Sequence, residues 1–140
     1  MMNAQRIVLA ATATLLLAAC SSGTTVTVKP LPTPAATDLS AAAQELRALD
    51  QAAGATTETA DAYDQAFAAL AARCVEQPRA LAAEVQSAVA QLKALGSKTQ
   101  THLTVLSGIA AAIPSAYPRS NCAPYLGTYV AAQQATGTIH

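Results

Sequence analysis

From residue 38 onward the larger apolar side chains recur at intervals of three and four, the spacing that lines one face of an α-helix, in five successive blocks. The first block, Asp38 to Ala53, places Leu39, Ala42, Leu46, Leu49 and Ala53 on one stripe, with Asp38 as N-cap and Gly54 just past the end. Glu45, Arg47 and Asp50 fall off that stripe. The second block, Thr57 to Cys74, aligns Tyr63, Phe67, Leu70 and Cys74. Pro78 suits the first turn of a third helix, closed by Gly96, whose inward face is Leu81, Val85, Ala88, Val89, Leu92 and Leu95. Ser97 with Gln100 reads as a capping box for a fourth helix through Leu103, Leu106, Ala110 and Ile113, stopped by Pro114. Gly108 inside it costs about 1 kcal/mol relative to alanine unless a close contact needs the space. A fifth helix from Ala123 to Gln134 tolerates Pro124 in its first turn and buries Leu126, Tyr129 and Val130, while residues 135–140 have no periodicity and should fray.

These blocks predict an all-α fold, a small antiparallel bundle of four to five helices joined by short links that reverse direction. In a closed arrangement of the second to fifth helices, the end of the second and the start of the fifth meet at one level. Cys74 and Cys122 stand at those two positions, which suits a disulfide with Cα atoms about 5.5 Å apart. The chain has one Phe, four Tyr and no Trp, so large anchors are few and the core must rest on Ala and Leu.

The residues before this region have a different character. Arg6 precedes an uncharged apolar run, Ile7 to Ala19, too short for a stable span, which needs roughly 20 residues. The run closes on Leu17-Ala18-Ala19-Cys20 and exits through Ser21-Ser22-Gly23. This segment resembles the signal peptide and lipobox of bacterial lipoproteins. The resemblance covers the export signal alone. It implies a diacylglycerol on Cys20, cleavage between Ala19 and Cys20, and a domain held on the extracytoplasmic side of a membrane by its lipid. That membrane is the plasma membrane, at its outer leaflet, or the outer membrane if the cell has two. Residues 1–19 are then a removed signal peptide, 20–37 the lipidated cysteine and tether, and 38–140 the Ala-rich helical domain. Pro30, Pro32 and Pro34, among Ser, Gly and Thr, make the tether disordered and extended. As a flexible coil it spans roughly 20 to 25 Å, so the domain should stand off the bilayer.

Of three cysteines, lipidation consumes Cys20 and leaves Cys74 and Cys122 as an even pair in an oxidising space, where a disulfide is the expected state. No CxxC and no histidine pair accompany them, so a metal site is not expected. Eight basic residues face eight acidic ones, without the basic stripe that nucleic acid would require or the polybasic patch of electrostatic membrane binding. The anchor must be the lipid itself.

Candidate chemistry is thin. His102 could serve as a general base, but a lone histidine beside Leu103 reads first as a residue at the edge of the apolar stripe. Glu58, Asp61 and Asp64 could contact a divalent cation, yet acids in a first helical turn answer the helix dipole and no calcium loop frames them. No nucleophile motif or phosphate loop is present, so no catalytic residue and no cofactor are assigned. Tyr117, Tyr125 and Tyr129 surround Cys122 in sequence and could form a partner surface or cover the disulfide. The expected function is a non-enzymatic interaction module at the cell envelope, engaging an envelope protein. The alternative is a carrier for a small apolar ligand or lipid, held between Ala-lined helices.

Overall fold

The computed structural model describes residues 29–137, and from Leu31 onward the described residues form one compact unit. The export signal, Cys20 and the tether as far as residue 28 lie outside the described residues. Among the described residues the fold is all-α, with five helices: α1 (Ala36–Ala52), α2 (Ala60–Ala71), α3 (Pro78–Ala94), α4 (His102–Ala112) and α5 (Ala123–Ala135). None of them is long and apolar enough to cross a membrane.

Helix ends show where local chemistry overrode the sequence expectation. α1 begins at Ala36, two residues before the expected tether boundary, with Ala35 in the extended N-cap conformation. Asp38 is therefore not the cap; its N–H already bonds to Ala35 O at 3.0 Å, and its carboxylate sits in the first turn, where the helix dipole favours it. α2 starts at a capping Thr59, whose hydroxyl accepts from Ala62 N at 3.3 Å. α3 begins with Pro78, as its fixed φ suggests, and ends on Gly96 at φ 95. Ser97 belongs to that closure, since its N–H bonds back to Leu92 O at 2.9 Å. The capping box of α4 is consequently Thr101 with Thr104, not Ser97 with Gln100.

Most of the expected core is buried. Leu46, Tyr63, Phe67, Leu70, Leu81, Val85, Leu92, Leu106 and both Cys74 and Cys122 are fully inaccessible. Three stripe positions depart from the expectation: Leu49 and Leu95 are 41% and 40% exposed, and Ala53 is exposed as well. In α1 the buried face steps from Leu46 to Asp50 by four rather than to Leu49 by three, which turns the stripe toward α4.

Helix directions alternate along the chain as expected, but the ring of α2 to α5 does not form. α4 packs against all four other helices, α1 also against α2 and α3, and α3 against α5. α2 makes no packed pair with α3 or α5. The reason lies in α4 itself, where Val105, Leu106, Ile109 and Ala110 are buried as adjacent pairs. Such a wide apolar face requires cover from several sides, so this short helix takes the centre. Gly108 permits the close approach of α5: a Cβ there would lie 2.7 Å from Tyr129 Cε2.

Candidate functional site

The alternating directions give the bundle two ends. The cystine end gathers the start of α1, the 72–77 link and the 113–122 link. The far end gathers the 53–59 and 95–101 links.

At the far end the carboxylate of Asp50 is fully buried. Asp50 Oδ2 accepts from Tyr63 OH at 2.7 Å and from the His102 backbone N–H at 2.9 Å, while Oδ1 accepts from His102 Nδ1 at 2.7 Å. Asp50 and Tyr63 are 0% accessible and His102 5%. The last turn of α1, the first turn of α2 and the first residue of α4 thus converge on one group, which also occupies the N-terminus of α4, where the dipole favours an anion. Burial pushes the Tyr63 phenol up to about 12, with the Thr56 hydroxyl opposing and the Asp50 carboxylate reinforcing the shift.

His102 is therefore an interior residue bonded to a carboxylate, not a boundary residue. An imidazole whose Nδ1–H is held by an aspartate is oriented as the base half of hydrolytic sites are. It also lines a shallow open pocket of about 220 Å³ with Leu49, Gln86, Val89, Ala90 and Lys93. Those neighbours bring no hydroxyl or thiol for it to activate. Its demonstrable work is structural: it satisfies Asp50.

At the cystine end Cys74 and Cys122 are joined, with Sγ atoms at 2.01 Å and Cα atoms 5.4 Å apart. The pairing expected from the sequence is present, though it joins links instead of neighbouring helices. Backbone bonds reinforce it: Val75 N to Ser120 O at 3.0 Å and Ser120 N to Arg73 O at 3.1 Å. Arg119 Nε donates to Cys74 O at 2.8 Å, Arg73 Nε to Ile113 O at 2.9 Å, and Arg73 Nη1 to Ala69 O. Glu76 Oε1 accepts from Cys122 N at 2.7 Å, which caps the start of α5.

Glu76 Oε2 and Glu84 Oε2 are buried without a hydrogen-bond partner. Burial first and Glu76 second raise the Glu84 carboxyl, a shift toward the neutral form that eases the lack of a partner. Donor atoms of Cys74, Glu76 and Cys122 lie within 4.8 Å of one another, but the mutual bond of the two sulfurs removes the thiolates a metal would need. Asp64, one of the three acids considered for a cation, instead accepts from Ser40 Oγ at 3.2 Å and Gln44 Nε2 at 2.8 Å, joining α1 to α2.

The three tyrosines have separate roles. Tyr129 packs into the α4–α5 seam at Gly108 and donates to Gln100 Oε1 at 3.2 Å. Tyr125 is half-buried against the core, and Tyr117 is 59% exposed on the 113–122 link. No family model matches this chain, nor does any curated protein or solved structure.

Proposed function

We propose that the chain is a lipid-anchored extracytoplasmic bacterial lipoprotein whose helical domain is a non-enzymatic interaction module at the cell envelope. The observation that supports this best is the Cys74–Cys122 disulfide closing the domain, a bond that persists in oxidising compartments. It stands beside an Asp50–His102 pair spent on holding helices. Of the tyrosine surface, Tyr117 is the side chain most available to an outside contact, because Tyr129 is engaged within the fold.

Metabolic labelling with a fatty-acid probe tests the anchor. The wild-type chain takes up label and sediments with membranes, whereas Cys20→Ser is unlabelled; label on Cys20→Ser overturns the reading. The carrier alternative draws on one feature, an open groove of about 300 Å³ lined by Thr33, Pro34, Leu39, Ala68, Ala71, Ala72 and Arg119. Native mass spectrometry of the purified protein decides it. A bound mass in the lipid range favours the carrier, and a bare domain the interaction module.

A further inference from the structure

The links at the two ends of the domain present different chemistry. Those at the far end read Ala53-Gly54-Ala55-Thr56-Thr57-Glu58-Thr59 and Leu95-Gly96-Ser97-Lys98-Thr99-Gln100-Thr101, mostly small or polar. The cystine end exposes Tyr117 at 59%, Leu31 at 50% and Val75 at 36%, against Leu49 at 41% and Leu95 at 40% toward the far end. Pro114, Ala116 and Pro118 are exposed around Tyr117, and the apolar groove formed by Leu39, Ala68, Ala71 and Ala72 opens beside Arg119.

We propose that the cystine end is a membrane-docking surface, seated on the headgroups and upper acyl chains of the same bilayer that holds the Cys20 lipid. The proposal rests on the lipoprotein reading, and three observations support it. The compact unit starts at Leu31 and α1 at Ala36, so the chain from Cys20 arrives at this end and not at the other. Taken as a flexible coil, the twelve residues from Cys20 to Leu31 span roughly 17 to 21 Å, which gives even a weak surface contact a high effective concentration.

Charge is the second observation. The 113–122 link carries Arg119 and no acid, and Arg79 is exposed at the start of α3. Of the acids at this end, Glu76 is committed to the Cys122 N–H, burial beside Glu76 raises the Glu84 carboxyl toward its neutral form, and Asp38 is exposed in the first turn of α1 beside Arg79. Third, a tyrosine flanked by prolines and followed by an arginine matches the amphipathic chemistry of the membrane–water boundary. An aromatic ring seats at headgroup level there, and an arginine stem lies along apolar surface with its charge toward phosphate. The tether could hold the domain away from the bilayer, but the surface nearest the anchor has the composition to return to it. Docking in this way points the far end, with its polar links, outward to a partner.

The chain has no tryptophan, so single-tryptophan reporters are direct. The full lipidated chain carrying Tyr117→Trp, or separately Leu95→Trp at the far end, is reconstituted into vesicles of phosphatidylethanolamine and phosphatidylglycerol with brominated acyl chains. Tyr117→Trp is expected to shift to the blue and to lose roughly half its emission relative to unbrominated vesicles, as an indole at the interface would. Leu95→Trp should keep its emission. Vesicle flotation is read on the same samples. A chain that floats while both reporters show equal emission with and without bromine overturns the docking surface and leaves the anchor standing. A chain that does not float overturns both.

Discussion

The two ends of this bundle solve the same problem with different materials. Helix ends leave backbone groups without partners, and an Ala and Leu core with one phenylalanine supplies few large anchors to hold five helices in register. The far end is held by a buried carboxylate that accepts three hydrogen bonds from α2 and α4. The cystine end is held by a covalent bond with backbone pairing around it. The first arrangement stabilises the folded state through contacts that exist only there. The second acts mainly by restricting the unfolded chain. The two should therefore fail in different ways.

Removing the carboxylate should have the largest effect. Asp50→Ala leaves the Tyr63 hydroxyl and the His102 N–H groups buried without an acceptor, and breaking a buried charge-bearing network of this kind costs about 3 to 5 kcal/mol. Urea unfolding followed by circular dichroism measures it. A loss near the few tenths of a kcal/mol typical of surface changes would show that the interior is held by apolar packing alone. Opening the cystine comes next. For a sequence separation of 48, loop-closure entropy gives about 4 kcal/mol, with measured values usually smaller. The Cys74→Ser, Cys122→Ser pair should lower the melting temperature. Hydrogen exchange should then locate the damage, with the Val75 and Ser120 amides losing protection before that of His102. Equal loss at both ends would mean that the ends are not separate braces.

The sequence carried these two ends unequally. Period, punctuation by Pro78 and Gly96, and an even cysteine pair were enough for the five helices and the disulfide. Each signal is local or concerns a single pair. The packing order escaped, because α4 sits at the centre for a reason that periodicity averages away: adjacent buried residues on a short helix. The Asp50 site escaped for a related reason. Choosing Leu49 over Asp50 as the next stripe position follows hydrophobicity, whereas the helix follows geometry, and Ala43, Leu46 and Asp50 continue one buried face. A usable signal was present, since an acid in register with that face calls for a buried partner, and His102 was the one histidine within the helical region. Only the fold could show that the first turn of α4 meets the last turn of α1.

Alkaline pH offers the finest probe of the far end. Burial raises the Tyr63 phenol from 10.0 to about 12 in the folded protein, while the unfolded chain keeps the ordinary value. Below pH 10 both states hold the proton, and the contribution of Tyr63 is fully present. As pH rises beyond that value the unfolded state releases its proton first and is stabilised relative to the fold, so stability falls until the folded phenol also titrates near 12. Tyr63→Phe has no such limb, although it begins less stable by about 1 kcal/mol for the lost bond to Asp50. Every group other than Tyr63 is the same in both proteins and cancels in the comparison. The two urea-derived stabilities should therefore converge between pH 9 and pH 11. A gap that stays constant over that interval would place the hydroxyl in contact with solvent, and the tie from α2 to Asp50 would lose its claim to hold the far end closed.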